Sequence, residues 1–381
     1  MRVKIFNLLT IEYEKRQEIT LEQSLKLTTM ALVTAFIIMG IIFAGFGVNP
    51  FLAIFSIFAW SLFTPAGFTS TLTRMIPLLL CGVGLAIAFR ALFWNIGAEG
   101  QLLMGAIAAT GIALFVPGIP DFLLLPTILL MGFIVGALWG LIPAALKLKF
   151  ETNEVITTLM LNYVAFRLVK YLVYGPWKGK KVYNFPFSDT FPPAAWEPKI
   201  PGTPIYVYSF VLSLLFAVGL YFFMNKTTLG YEIRVVGENI KAARYAGINY
   251  TKTILITMLI SGGLAGLAGA GLMTGVQHRL QNPEAISPGY GYTAIIVAWL
   301  GRLNPLYVIL SAFFMAILIV GGQQIQITLG LPFGVVNIFN GVILFVLIAF
   351  EPLREYRVSF YWNEKYPWGS FMNKLFSTVF K

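Results

Sequence analysis

The strongest constraint on this fold is a succession of apolar stretches, most of them long enough to cross a lipid bilayer as a helix. They lie at 28–48, 71–93, 97–117, 122–146, 154–174, 205–224, 253–274, 288–301, 305–322 and 334–350. A spanning helix needs about 20 mostly apolar residues, and the eighth and tenth stretches are short of that. Composition agrees. Of 381 residues, 58% are hydrophobic and 11% charged, against roughly 45–50% and about 25% in soluble chains. These figures exclude a soluble globular enzyme, a disordered chain and a nucleic-acid binder. The net charge of +11 reflects a shortage of acids, 16 against 27 basic residues, and not a dense basic patch. The expected fold is all-α: a polytopic membrane protein with about ten transmembrane helices.

The rare reactive residues narrow the chemistry. The single cysteine, Cys81, excludes an internal disulfide and a Cys-based zinc site. The single histidine, His278, excludes a multi-His metal site. No metal site and no catalytic residue is expected. Charges run to Lys26 without a small-residue cleavage site beyond, so the first apolar stretch reads as a span and not as a cleaved signal.

Charge asymmetry predicts the orientation. With the N-terminus inside, 19 basic residues fall on the inner side and six on the outer, four of the six in the loop 175–204. Excess Lys and Arg mark the cytoplasmic side, so both termini are expected there. The chain then divides into a cytoplasmic segment 1–27, a membrane domain 28–350 and a tail 351–381. The tail, with Tyr361, Trp362, Trp368, Phe371 and Phe376 among lysines, reads as an interfacial segment in contact with membrane lipids. The apolar segment 50–64, bounded by Pro50 and Pro65, reads as a re-entrant or interfacial helix on the outer face.

The spans form two halves of five. A hairpin at 71–117 starts outside and one at 253–301 starts inside, which predicts two halves of inverted topology. Each first arm is rich in small residues. Each second arm follows a polar, glycine-bearing break, Asn95 to Gln101 in one and Ser287 to Tyr292 in the other. Interrupted spans in matching positions of two halves point to a transport pathway. The small-residue run Ser261 to Gly269 reads instead as a close helix contact.

Glu99 is the sharpest single residue. On this span map it sits near the cytoplasmic start of the third span. A carboxylate in or near hydrocarbon faces a cavity or a partner; it also suits the first turn of a helix, which Asn95 can cap. Capped helix start and pathway residue both remain open, with Arg90 as a candidate partner. Gln101 faces another side of the same helix. The inner loop 225–252 contains a helix-prone stretch after Gly237 with a small-sided face, ended by Gly247 as a C-cap would end it. It reads as a solvated linker or as a docking element.

Four motifs in order, NIGAEGQ at 95–101, GENIKAARYAGI at 237–248, SGGLAGLAGA at 261–270 and GYGYTAIIVAWLGRLNP at 289–305, resemble the permease subunit of a bacterial ABC importer. The branch is that of branched-chain amino acid and ribose permeases. The best likeness is to nucleoside or simple-sugar permeases that work with basic-membrane-lipoprotein-type binding proteins. The likeness covers roughly residues 70–360. It implies a multi-pass protein of the bacterial inner membrane that forms half of a translocation pathway and has no cofactor of its own. The implied partners are a second, non-identical permease, an ABC ATPase with two nucleotide-binding domains that holds ATP and Mg, and a substrate-binding lipoprotein. By the same resemblance Gly237, Glu238, Ala242, Ala243 and Gly247 match the ATPase-coupling region. Trp94, Asn95, Glu99, Gln101, Tyr290 and Tyr292 are the expected walls of the pathway. Trp299 departs from the small aliphatic residue the family often has there. The competing reading is an ion-coupled secondary transporter of a small polar solute; against it, most spans carry no ionisable residue at mid-depth. A membrane-embedded enzyme lacks the His, Asp or Glu cluster it would need.

Overall fold

Six helices begin where a side chain can hold a free N–H. In the computed structural model, Thr64, Asn153, Thr227, Asn239, Asn249 and Asn304 each accept from a backbone N–H one to three residues into the helix they start. Pro65 and Pro305 occupy first helical positions, where no donor is lost. The structure describes residues 2–5, 9–15, 21–180, 185–331, 334–350 and 356–362. The helices are α1 (Leu21–Gly45), α2 (Pro50–Phe63), α3 (Pro65–Arg90), α4 (Ala98–Phe115), α5 (Asp121–Phe150), α6 (Glu154–Tyr174), α7 (Val207–Lys226), α8 (Thr228–Glu238), α9 (Ile240–Tyr245), α10 (Tyr250–Leu272), α11 (Pro283–Ile286), α12 (Tyr290–Leu300), α13 (Pro305–Leu329) and α14 (Gly334–Phe350). A π-turn, Met273–Gln277, prolongs α10. Among the described residues, eight helices are long and apolar enough to cross a membrane.

Each of the ten apolar stretches coincides with a helix, but the eighth does not span by itself. At 1.5 Å per residue, the 11 residues of α12 cover about 17 Å, roughly half of the hydrocarbon thickness. The segment 50–64 is helical, as α2.

The chain divides into two compact units, 1–52 with 333–381, and 53–332. The first contains a departure from the all-α expectation. Strands β1 (Arg2–Ile5), β2 (Leu9–Lys15) and β3 (Tyr356–Trp362) form an antiparallel sheet in the order β1-β2-β3, with Arg2 opposite Glu12 and Leu9 opposite Trp362. Leu9-Thr-Ile-Glu-Tyr and Tyr356-Arg-Val-Ser-Phe alternate apolar with polar residues, a strand period. Tyr361 and Trp362 therefore belong to a strand. Trp368, Phe371 and Phe376 of the expected interfacial tail lie outside the described residues, as does Lys181 of the outer loop. In the same unit α1 packs against α14.

The second unit is organised around α10, which packs against α3, α4, α5 and α8. Its contact with α5 is a meeting of two small-residue ridges with a four-residue repeat: Gly132, Gly136 and Gly140 on α5 face Gly262, Gly266 and Ala270 on α10. A Cβ on Gly266 would overlap the Gly132 carbonyl oxygen, and one on Gly105 of α4 would overlap the backbone of Gly266. Close backbone approach is how helices gain dispersion contact where lipid removes the hydrophobic drive. The small-residue run of the sequence is thus a packing seam on at least two sides.

Outside the spans, Glu197 fastens the loop before α7. Its carboxylate accepts from the Ser209 N–H (2.9 Å) and hydroxyl (2.6 Å) and from the Thr274 hydroxyl (2.9 Å). Burial pushes this carboxyl up from its ordinary value while the hydrogen bonds pull it back. His278 stacks on Trp196, ring centroids 4.2 Å apart, at the same end of the helices.

Gly266→Leu is expected to abolish the folded protein, or to lower its stability by more than the roughly 1–3 kcal/mol typical of overpacking, because the obstacle is backbone on two sides. Gly219→Ala in α7, where an added Cβ meets nothing within 4 Å, should keep or raise the melting temperature. Thermal unfolding of both variants in detergent decides; equal melting curves would contradict the seam.

Candidate functional site

The two interrupted helices meet at their starts. After α3 the chain turns back without helix: Leu92 takes a left-handed conformation (φ 54), and the Phe93 and Leu92 N–H groups bond to Ala88 and Phe89 oxygens. Residues 91–97 then climb beside α6 and α10 before α4 begins. On the other side α11 lies near the far end of α6, where Lys170 and Glu284 pair at 3.1 Å, and residues 287–291 lead back down α6 to the start of α12. Glu99, in the first turn of α4, therefore stands level with the middle of the longer helix α10. Ser261, which shares this layer, is 11 residues into α10, about 17 Å along its axis. The sequence map missed this because it allowed no non-helical climb after Arg90.

Around Glu99 the polar groups answer one another. Its Oε2 accepts from the Gly291 N–H at 2.7 Å, and the Ser287 hydroxyl, which accepts from the Tyr290 N–H at 3.0 Å, belongs to the same turn. A Cβ at Gly291 would overlap the Glu99 backbone, so only glycine lets the two helix starts come this close. Arg90 is not the partner; its carbonyl lies against Gly237 of α8, and its charge faces Arg234 and Glu238. Asn95 does not cap α4 either. The N-cap is Gly97, without a side-chain bond, and Asn95 Oδ1 accepts from the Gly97 N–H at 2.9 Å. Asn95 and Gln101 exchange two bonds of 3.1 Å, and Asn95 also donates to Ser261 Oγ at 3.1 Å. Gln101 does point away from Glu99, as expected.

Asn162, in the middle of α6, ties both interruptions together. It accepts from the Gly100 N–H at 2.8 Å and donates to the Ile96 oxygen at 2.8 Å and the Tyr292 hydroxyl at 3.2 Å. Thr158 Oγ1, one turn away, accepts from the Ile96 N–H at 3.2 Å. Tyr290, 1% exposed, accepts from Arg74 Nη1. Trp94 is 41% exposed and stacks on Trp299 with centroids 5.7 Å apart, beside Phe89. Trp299, the one departure from the family pattern, thus fills an aromatic cluster. Of the six expected wall residues, Asn95, Glu99, Gln101 and Tyr290 are buried in this layer, and Trp94 and Tyr292 are half-exposed. Asn162, Thr158, Ser261 and Arg74 were not foreseen. A lone Asn within an apolar span was the available signal for the first.

The inner loop also differs from its reading as one helix over 237–248. Asn239 is extended (φ −159) and splits α8 from α9. Gly247 takes φ +77, and the Ile248 N–H bonds to the Ala243 oxygen, so the expected C-cap is present. Gly237 belongs to α8, against α3. Ala243 is fully buried within its own chain and offers no docking face. The outward groups include Glu238, Lys241, Ala242, Arg244, Ala246 and Tyr245, the last 94% exposed.

Glu99→Leu would leave the buried Gly291 N–H without an acceptor, at a cost of about 1–3 kcal/mol. It is expected to lower stability by that amount, whereas Glu99→Gln keeps one carbonyl acceptor and should cost less. Denaturant or thermal unfolding in micelles tests the order; a Glu99→Leu variant as stable as the unmodified chain would overturn it.

Residues 67–350 match the family described as branched-chain amino acid transport system / permease component. The chain is 36% identical over 339 residues to the glucose ABC transporter permease protein TsgB13 of Haloferax volcanii, covering 86% of this chain and 88% of that one. It is 34% identical over 289 residues to the guanosine ABC transporter permease protein NupP of Bacillus subtilis, covering 74% and 81%. A second guanosine permease protein of that organism, NupQ, is 28% identical over 258 residues, covering 64% and 78%. No solved structure matches. With three quarters of its length matched by one family model and a relative above one-third identity over most of both chains, this protein belongs to the permease-component family of branched-chain amino acid transport systems, a membrane subunit whose ATPase activity resides in separate chains.

Proposed function

We propose that this permease forms half of the pathway of an ATP-driven importer for nucleosides or related small sugars, working by alternating access. The observation that carries the reading is the pair of interrupted helices meeting at mid-depth around Glu99. Such breaks supply polar groups inside a membrane without exposing them to lipid. The substrate class rests on the relatives, whose names give glucose and guanosine. The proposed partners are an ATPase with two nucleotide-binding domains holding ATP and Mg, a substrate-binding lipoprotein, and a second, non-identical permease. The two guanosine permeases of Bacillus subtilis, which differ in their likeness to this chain, support the last.

In this reading both termini and the loop 225–252 face the cytoplasm of a bacterial cell. The ATPase meets α9 through Tyr245, Ala242 and Ala246. Movement passes to the membrane body where α8 packs on α3, at Gly237 and Arg90.

Proteoliposomes holding this chain with its partner subunits are expected to accumulate solute when ATP is supplied on the ATPase side, and the chain alone should accumulate none under an ion gradient. Tyr245→Asp, at a side chain almost wholly exposed, should release the ATPase without affecting insertion. Gradient-driven uptake by the chain alone would establish the secondary transporter instead.

Orientation has its own test, in a Cys81→Ser background. A cysteine at Ile200, 40% exposed, should react with an impermeant thiol reagent added to intact cells. One at Tyr245 should react only after the cells are opened. The opposite pattern would invert the topology.

A further inference from the structure

One cavity in the second unit lies away from the layer around Glu99. It has a volume of about 380 Å³ and opens between the start of α3, the end of the loop before α7, the π-turn after α10 and the last turns of α13. Its polar lining includes Arg74, Lys199, Ser70, Gln323 and Gln324, and Trp60 supplies an aromatic wall. The volume suits a small-molecule site, typically about 300–1,000 Å³. Of the six wall residues expected from the sequence, none lines it.

The lining is unbalanced in a way that selects a ligand. Arg74 and Lys199 are donors only, and neither forms an ion pair among the described residues. Arg74 contributes one N–H to the Tyr290 hydroxyl, and its guanidinium carbon lies 5.9 Å from that ring. The remaining N–H groups of its planar fork are left for a ligand. No carboxylate lines the cavity. A sugar hydroxyl both donates and accepts, so it can meet these cations as well, but one at a time and without a flat ring for the indole. The edge of an oxopurine that carries O6 and N7 presents two neighbouring acceptors, which a guanidinium meets in two parallel bonds, and the ring offers a flat face to Trp60. We propose that this cavity is a binding site for the base of a nucleoside, with Arg74 and Lys199 selecting oxo-bases over amino-bases and Trp60 stacking on the ring. This rests on the reading of the chain as a nucleoside permease and goes beyond it by placing the base and its selectivity in one set of side chains.

The arrangement also explains the anchoring of Arg74. Tyr290 is the first residue of α12 and immediately precedes Gly291, whose N–H is bound by Glu99. The side chain that would touch the base is therefore held by the same short helix that closes the mid-depth layer.

The test uses the full chain with its partner subunits in lipid nanodiscs, with binding of inosine and adenosine measured by calorimetry and ATP-driven uptake of both measured in proteoliposomes. The unmodified complex should bind inosine at least tenfold more tightly than adenosine. Gln324→Glu, nearly isosteric, adds an acceptor for the adenosine amino group and should bring the ratio towards one or reverse it. Arg74→Lys should reduce it, and Trp60→Ala should weaken both ligands by tenfold or more with the ratio kept. Equal ratios in all variants, with inosine uptake intact, would overturn the site while leaving nucleoside import standing. Tighter binding of inosine monophosphate than of inosine would overturn it in favour of an anion site. Uptake of glucose with no uptake of either nucleoside would defeat the substrate reading, and this proposal with it.

Discussion

A carboxylate at mid-depth between two helix starts is the interaction on which the rest of this structure depends. Glu99 could not stay there unpaired, since a charge in hydrocarbon is costly and normally finds a partner. The partners are local dipoles and not an opposite charge: the backbone N–H of Gly291 at the start of α12 and the first turn of its own helix. The first N–H groups of a helix have no intrahelical acceptor. Breaking two helices at mid-depth creates such groups where water cannot reach them, and one side chain answers those of α12. Asn162 then answers those of α4 and binds Tyr292 as well. The glycines at 97, 100, 289 and 291 follow from the same need, most plainly Gly291, where a Cβ would strike the backbone of Glu99.

The layer could not form without the seam beneath it. Two chain breaks at one depth interrupt two helices, so the remaining helices must pack closely enough to hold their positions. The glycine ridges of α5 and α10 allow this, with backbone nearly touching backbone from Gly132 to Gly140. Ser261, which receives the Asn95 amide, sits immediately before that ridge, so seam and layer share one helix. The same close contact removes freedom, because a side chain larger than hydrogen cannot enter it.

How much of this could be read in the sequence follows from the range of each cause. The spans are local: a window of twenty residues decides hydropathy, and all ten stretches prove to be helices. The small-residue seam is also local, since a four-residue glycine repeat has few other uses in a lipid setting. The partner of Glu99 is not local. Gly291 lies 192 residues away, and no pattern near Glu99 distinguishes it from Arg90, which is closer along the chain. Depth was misjudged for a related reason, because it depends on a seven-residue climb that hydropathy does not register. The sheet of the chain ends joins residues near 10 to residues near 360; its alternating pattern was visible, but short strands beside strong helical signals are easily overlooked. Ala243 shows the limit of composition. A small residue in an exposed loop suggests a docking face, and here it is small because its own chain packs over it.

The degree of hydrogen bonding in the mid-depth layer also bears on how such a protein can move. A fully paired buried network is rigid, and a half-paired one costs more than an apolar core. Sliding α4 past α12 would strand the Glu99 carboxylate and the Gly291 N–H, and would part the Asn162 amide from Tyr292 or from α4. Tilting α4, α6, α10 and α12 as one body would strand none of them. The contacts at the two ends of this body are of another kind. At one end α8 rests on α3 with Gly237 against the Arg90 carbonyl. At the other, Arg74 reaches Tyr290 from the edge of an open cavity. A movement that kept the polar centre whole would have to be taken up at such margins, and the close seam of α10 on α5 would have to travel with it.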